Sequence, residues 1–560
     1  MNDRRFHYSL WLVLVIAFLI RLWGIWNVST SDEYNEVFEA LRQCAGHFNM
    51  ERWVKRLYLY ILAVQYGIYY AVGWVFDMFQ SPMHFAEKII RDMEPLFIIG
   101  RFTSVIAGTL TVALVYRIGE KYFNRNTAII SSILLTFSVF HIDLSQQAKV
   151  DALLGLLVTA TFYFVFKLVT QNSQSKWDYA WCGFFMALAV QTKINSAVLI
   201  IPFIVTMLLN YRGKINTARS LAIFTFFFLL GFVIANPPVV LAPLHFLTNI
   251  LKLTRVFDTP VNVVPSELIG FIAYPLFYYK SMGLLISIAT LLALLNAFLD
   301  RARKKIVILT FIFPFFLMMG SLKSLVAPYY LIPILPVLFL LVADYLSLQH
   351  SRLKDRGLCL GGASRVLLIL FISVFFFTPA KNVGYHVFSL SGANTRYLAK
   401  DWIEANIPPG SKILMDSGKS INSSAPPVAE NRESLERIIR KTNENISQGK
   451  IVHEMVDKNA LVYYELLLRT VPEKSYDITS TMFGLEVKTI DHYMAEGYQY
   501  FIISRERKES RAGNYAKENM PDVARFYTSL DVDKRVHLIQ VIAPTLKNSG
   551  DTFFIYMLKS

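Results

Sequence analysis

The chain reads as a mainly α-helical polytopic membrane protein ending in a water-soluble α/β domain, and three observations carry that reading. Of its 560 residues 54% are hydrophobic and 14% aromatic, with a mean hydropathy of +0.40, more apolar material than a soluble fold of this length buries. Apolar stretches near the length of a bilayer crossing recur up to about residue 380. Beyond that point the composition turns hydrophilic and mixed.

The apolar segments fall at 9–28, 57–79, 96–118, 127–141, 151–169, 178–192, 195–210, 219–236, 270–299, 306–320, 326–346 and 366–379, each spanning a bilayer or nearly so. Arg4 and Arg5 before the first resemble a signal peptide, but no small-x-small cleavage site follows, so the run reads as a retained helix. The basic loops are Arg4-Arg5, Arg117 to Arg125, Lys167 to Lys176, Arg212 to Arg219, Arg301 to Lys305 and Arg352 to Arg365. Cytoplasmic loops concentrate Lys and Arg, and all six share one side only if 57–79 does not cross. Its Tyr58, Tyr60, Gln65, Tyr66, Tyr69, Tyr70 and Trp74 suit a headgroup-level or re-entrant helix. The expectation is eleven spans in a multi-pass cytoplasmic-membrane protein, with the N-terminus cytoplasmic, the C-terminal domain periplasmic or extracellular, and a long external loop over 29–95.

Two domains follow, 1–380 in the membrane and 381–560 outside it. The second predicts strands at Lys412 to Met415, Tyr500 to Ile503, Val536 to Val541 and Phe553 to Met557. Helices are expected over Arg396 to Asn406, Glu430 to Glu444, Asp491 to Glu496 and Asp522 to Leu530, with Pro408-Pro409-Gly410 as a turn. No phosphate loop, dinucleotide fingerprint or zinc spacing is present. The net charge of +15 fits cytoplasmic loops and anionic membrane lipid; no nucleic-acid motif accompanies it, so nucleic acid is not an expected partner. Cys44, Cys182 and Cys359 are widely spaced and predict no internal disulfide.

Ionisable residues cluster on the predicted external face. Asp32 and Glu33 follow the first span, and adjacent carboxylates at a membrane boundary are costly without a role. Their bland reading is a solvated loop, or Asp32 capping a helix through Asn35 to Arg42; their chemical reading is a general base, one carboxylate raising the other's proton affinity. The short external loop His141 to Asp151 carries His141, Asp143 and Asp151, which either favour helix N-termini or line one cavity. Lys193 lies in a tight turn between apolar helices, Arg101 begins a span, Lys55 and Arg56 precede the aromatic helix, and Lys323 precedes Pro328-Tyr329-Tyr330. Each cation could snorkel to headgroups; together they suit a phosphate leaving group.

In that order, Asp32-Glu33, Arg101 to Gly119, the His141-x-x-x-Ser145-x-x-Ala148-x-x-Asp151 stretch, Thr192-Lys193 and Pro328 to Pro336 resemble the GT-C glycosyltransferases related to protein O-mannosyltransferases, a superfamily that includes the aminoarabinose transferases of lipid A. The resemblance covers about 10–345, and Trp402-Ile403 through Pro408-Pro409-Gly410 is similar to the soluble tail of bacterial members. It implies a GT-C fold, a polyprenyl-phosphate sugar donor, and inverting transfer on the outer face to a protein, lipid or glycan acceptor. It further implies Asp32 as catalytic base with Glu33 beside it, Asp151 as the second acidic position, and Lys193 at the lipid phosphate. Arg101, Lys55, Arg56, His141, Asp143, Lys323, Tyr329 and Tyr330 complete the expected substrate-binding set. No cofactor is required; the carboxylates could hold a divalent cation, but the cations make one unnecessary, and no metal site is predicted. The chain departs from its relatives at Lys55-Arg56-Leu57-Tyr58, where many have a Pro-rich start, and at Asn35, where the aminoarabinose enzymes have Arg. The rival reading is a lipid or sugar transporter, which predicts midplane charges, broken helices and an internal repeat.

Overall fold

A computed structural model describes residues 2–28, 31–46, 56–171, 175–211, 214–241, 243–244, 248, 268–322, 326–356, 362–416, 425–448, 458–481 and 484–559. The chain is predominantly helical. In order come α1 (Asn2–Leu22), α2 (Ser31–Cys44), α3 (Arg56–Val75), α4 (Pro82–Arg91), α5 (Glu94–Tyr122), α6 (Arg125–Thr136), α7 (Val139–Ser145), α8 (Val150–Gln171), α9 (Lys176–Thr192), α10 (Ile200–Leu209) and α11 (Lys214–Ala235). Among the described residues, Glu94–Tyr122, Val150–Thr170 and Thr217–Ala235 are long and apolar enough to cross a membrane. The pair α6 and α7 would make a fourth crossing, bent by 63°.

Contacts divide the chain into two units. The first comprises Met1–Ile25, Ala45–Ala63 and Gly100–Val387. Two segments expected to be single spans are each two helices. The expected 127–141 breaks at Phe137 and Ser138, between α6 and α7. The expected 270–299 is Gly270–Met282 followed by Leu284–Asp300. Gly283 joins the last two at φ +82°, a conformation that costs a residue with a Cβ, and a Cβ there would lie 2.6 Å from Thr378 Oγ1. Charges at the far end of this bundle are paired. Lys167 Nζ lies 2.6 Å from Asp178 Oδ1, and buried Lys305 reaches Asp300 Oδ2 at 2.6 Å and Asp344 Oδ2 at 3.0 Å. Burying an ammonium is tolerable only with such partners.

The second unit comprises Trp26–Cys44, Val64–Ile99 and Phe388–Ser560. Its six-stranded sheet contains β1 (Lys412–Met415), β2 (Ala429–Glu430), β3 (Ser475–Ser480), β4 (Tyr500–Ser504), β5 (Val536–Ile542) and β6 (Phe553–Leu558), in the order β2-β3-β1-β4-β6-β5. The β2, β3, β1 and β4 strands run parallel, whereas β6 is antiparallel to β4 and β5. Alternating side chains feed two cores, as period-two strands dictate. Ile413, Met415, Ile478, Ile502 and Ile555 join Ala399 and Ile403 on one face. Leu414, Phe501, Ile503 and Tyr556 join Tyr493, Phe526 and Tyr527 on the other. The four strands and the helices expected here are present, the helices as Thr395–Asn406, Arg432–Ser447, Ile490–Ala495 and Pro521–Ser529. The β3 strand was not expected. Its Ser475-Tyr476-Asp477-Ile478-Thr479-Ser480 hides the apolar pattern, since buried Asp477 is paired with Arg437 Nη2 at 2.6 Å.

The early loop residues pack within this unit. A cluster of Ile90 from α4 with Leu435, Tyr463, Tyr464 and Leu466 is joined by Phe38 of α2, whose ring meets Tyr463 edge-on at 5.3 Å. Asn27 Nδ2 donates to Leu390 O at 2.8 Å, and Tyr397 Oη to Glu94 Oε2 at 3.0 Å.

Candidate active site

In the first unit the site is built where α8 begins and α9 ends. Asp151 lies in the first turn of α8 and is buried, where the helix dipole favours a carboxylate. Lys193 caps the C-terminus of α9 with an extended backbone, φ −158° and ψ 124°, which throws its side chain off the helix axis. Its Nζ meets Asp151 Oδ1 at 2.8 Å. The ammonium also lies 4.6 Å from the Tyr329 ring centroid and 4.7 Å from that of Tyr330, within cation–π range. A short 3-10 turn, Pro328–Leu331, presents the two rings, with Pro328 fixing its first backbone angle. Sequence reasoning named Asp151, Lys193, Tyr329 and Tyr330 separately, and the fold brings all four together.

Lys149 also reaches this group, with Nζ 5.0 Å from the Tyr329 centroid. Sequence reasoning missed it, because nothing in its spacing separates it from a snorkelling lysine. Its backbone is tied to neighbouring helices: Ser104 Oγ of α5 donates to Lys149 O at 3.4 Å, and Tyr58 Oη of α3 lies 3.2 Å from Ser104 Oγ.

Other predicted residues have different surroundings. Arg101 is buried on α5 and donates through Nη1 to Ile25 O at 2.8 Å. His141 is buried on α7, with Nδ1 accepting from Arg21 Nη2 at 2.9 Å. Arg21, which sequence reasoning missed, is fully buried on α1 and also donates to Ala17 O at 3.0 Å and Leu135 O at 3.1 Å. Leu135 lies where the α6 ladder stops, so the guanidinium satisfies a carbonyl at the bend. Ser145 Oγ lies 3.4 Å from His141 Nδ1, and Gln146 Nε2 donates to Trp23 O at 2.8 Å. The end of α1 is thus stitched to the α6–α7 elbow that leads into Lys149 and Asp151. Asp143 is half-buried on the same short helix.

In the second unit α2 carries the acidic pair. The helix begins at Ser31, so Asp32 lies in its first turn. Glu33 is fully buried, and Glu36, Glu39 and Gln43 are buried on the same face, a spacing of three or four residues that a helix aligns. Arg56 is buried at the first residue of α3, in the first unit. Lys55 and Lys323 lie outside the described residues. Among the described residues no group of three His, Cys, Asp or Glu side chains is placed to hold a metal ion.

Residues 96–240 match the family model described as dolichyl-phosphate-mannose-protein mannosyltransferase, a segment that includes Arg101, His141, Lys149, Asp151 and Lys193. No curated protein matches the chain. Among solved structures, ArnT from Cupriavidus metallidurans in the apo state has a TM-score of 0.50 at 11% identity, covering 100% of this chain and 98% of that one. The apo oligosaccharyltransferase of Archaeoglobus fulgidus has a TM-score of 0.50 at 12% identity, covering 92% of this chain and 72% of that one. At such identities the structural likeness establishes the fold. Fold and family segment together define a glycosyltransferase of the GT-C class. Within that class, residues 96–240 are similar to the protein O-mannosyltransferase family.

Proposed function

We propose that this protein transfers a single sugar, mannose-like or another hexose or pentose, from a polyprenyl-phosphate donor to an acceptor hydroxyl. Transfer takes place on the outer face of the cytoplasmic membrane and inverts the anomeric centre. The acceptor is a protein, lipid or glycan. The observation that carries this reading is the Lys193–Asp151 pair against Tyr329 and Tyr330, inside the segment that matches the mannosyltransferase family. Lys193 holds the donor phosphate and Asp151 orients that ammonium. Asp32 takes the acceptor proton as the hydroxyl oxygen attacks the anomeric carbon. As that bond forms, the carbon–oxygen bond to the phosphate breaks on the opposite face, and its electron pair leaves on the polyprenyl phosphate. Fixed positive charge at a leaving group stabilises the transition state more than the ground state. Glu33 neighbours the base, and Arg101, Arg56 and Lys55 add positive charge. We place the chain in the membrane with eleven spans, the N-terminus in the cytoplasm and residues 381–560 outside.

A transporter is the weaker reading. The bend between α6 and α7 is the kind of broken helix such proteins use for ion sites, but here Arg21 takes the Leu135 carbonyl, which locks the bend. The test is purified protein in lipid with a radiolabelled polyprenyl-phosphate sugar. Asp32→Asn should abolish transfer at unchanged expression and thermal stability; full activity in that variant would sink the base assignment. Cysteine labelling at Lys121 and Arg303 tests the topology, and external reactivity there would overturn it.

A further inference from the structure

The far end of the first unit holds a cavity that the transfer reaction does not use. Its volume is about 280 Å³, and Asn124, Asp300, Lys304, Lys305, Asp344 and Ser347 line it. It lies among the start of α6, the turn that joins Leu284–Asp300 to Arg303–Gly320, and the helix Leu335–Asp355. These residues border the basic loops 117–125, 301–305 and 352–365, the side placed in the cytoplasm above. A volume of this size suits a small polar headgroup.

The charges in the cavity are of both signs. The helix Arg303–Gly320 begins with Arg303, Lys304 and Lys305 and has no acidic residue in its first turn, although the dipole is positive at that end. Lys305 is compensated in full. An ammonium has three N–H donors, and Asp300 Oδ2 at 2.6 Å, Asp344 Oδ2 at 3.0 Å and Asn296 Oδ1 at 3.2 Å accept them. Lys304 is held by a carbonyl and a ring. Its Nζ donates to Tyr122 O at 3.2 Å and lies 4.1 Å from the Phe123 centroid, which leaves N–H donors for an anion. The carboxylates keep capacity as well. Each gives one oxygen to Lys305, and an ionised carboxylate accepts about four hydrogen bonds. A plain anion in the cavity would be repelled by Asp300 and Asp344, and a plain cation by Lys304. A molecule with a phosphate and an ammonium makes charge-assisted hydrogen bonds at both ends.

We propose that this cavity binds the zwitterionic headgroup of a phosphatidylethanolamine-type lipid, with the phosphate at Lys304 and the primary ammonium at Asp344 and Asp300. Apolar surface beside the cavity supports a lipid as the source. Leu295, Phe298 and Leu299 are exposed within two turns before Asp300 and offer acyl chains a place to lie. The bound headgroup joins α6, the Asp300–Lys304 turn and the helix Leu335–Asp355, so it stabilises the bundle by mass action. The site is separate from the transfer chemistry, and the proposal stands or falls without the transferase reading.

The test is native mass spectrometry of the purified full-length protein in detergent, titrated with phosphatidylethanolamine, phosphatidylglycerol and phosphatidylcholine of identical acyl chains. Phosphatidylglycerol lacks the ammonium, and the quaternary nitrogen of choline has no N–H to give a carboxylate. Phosphatidylethanolamine should bind about tenfold more tightly than either, a difference of about 1.4 kcal/mol. Lys304→Met should weaken its binding about tenfold, and Asp344→Asn should erase its advantage over phosphatidylglycerol. Ser351 also lines the cavity and lies outside the Lys305 pairs, so Ser351→Leu should weaken phosphatidylethanolamine binding even where Asp344→Asn disturbs the fold. Soluble glycerophosphoethanolamine should bind at least about tenfold more weakly than the lipid; equal affinity would overturn the lipid assignment. Three lipids bound alike, or phosphatidylethanolamine affinity unchanged in Lys304→Met and Ser351→Leu, overturns the proposal.

Discussion

Replacing Arg21 by Met tests how the α1 end supports the site. The guanidinium is fully buried and makes hydrogen bonds to Ala17 O, Leu135 O and His141 Nδ1 at 3.0, 3.1 and 2.9 Å. The Ala17 carbonyl lies inside α1, where the helical ladder also serves it, so its loss matters least. Leu135 O and His141 Nδ1 lose a charged donor, and a buried acceptor left unpaired costs about 1–3 kcal/mol. Two such losses come to about 2–6 kcal/mol before compensation. Methionine fills much of the same volume and removes the desolvation cost of the charge, worth several kcal/mol in a low-dielectric interior. The Ser138 N–H also lies 3.4 Å from Leu135 O, so that carbonyl keeps a weak donor. The net expectation is a loss of about 1–3 kcal/mol, which for a chain of this size lowers Tm by a few degrees. Because the α6–α7 elbow leads into Lys149 and Asp151, transfer should fall by more than the stability loss explains. The assay pairs thermal unfolding in detergent with transfer kinetics at a temperature where both proteins are folded. An Arg21→Met protein with wild-type Tm and wild-type turnover would refute the reasoning.

Two further perturbations probe other parts of the structure. A Cβ on Gly108 would lie 2.1 Å from Ser145 Oγ and 2.7 Å from Ser145 Cβ, so Gly108→Ala should destabilise by about 1–3 kcal/mol in thermal unfolding, and adding Ser145→Gly should recover part of it. In the second unit Asp416 follows β1 and is fully buried; burial raises its pKa well above the usual carboxylate range, against the Ser504 N–H bond and Arg507, which lower it. A raised carboxyl pKa favours the fold most while the group is protonated, and that stability is lost as pH rises from the ordinary aspartate value through the folded one. Asp416→Asn should therefore flatten the decline of Tm on the alkaline side of about pH 4, and an unchanged pH profile would contradict the assignment.

Much of this architecture was legible because it depends on local pattern. Short apolar runs marked β1, β4, β5 and β6, and the distribution of basic loops put Asp151 and Lys193 on one predicted face. What escaped depends on partners distant in sequence. Neither Pro nor Gly marks the break after Phe137, and it is Arg21, more than a hundred residues earlier, that satisfies the carbonyl there. His141 stands in the expected substrate-binding set, and the contact of its Nδ1 with that arginine could not be read from the sequence. The Gly283 break did carry a local signal, a glycine inside a 30-residue apolar run too long for one span, but hydropathy smoothed over it. Burial of Glu33, Glu36 and Glu39 along one face of α2 was visible as helical spacing only once α2 was taken as a helix beginning at Ser31.

The most direct test of the central claim is transfer from a radiolabelled polyprenyl-phosphate sugar by the reconstituted full-length protein, comparing wild type with Lys193→Met. The account predicts wild-type transfer with inversion at the anomeric carbon and a loss of about 10²–10³-fold in turnover in the variant, with the fold retained. Undiminished turnover in a folded Lys193→Met protein would contradict it.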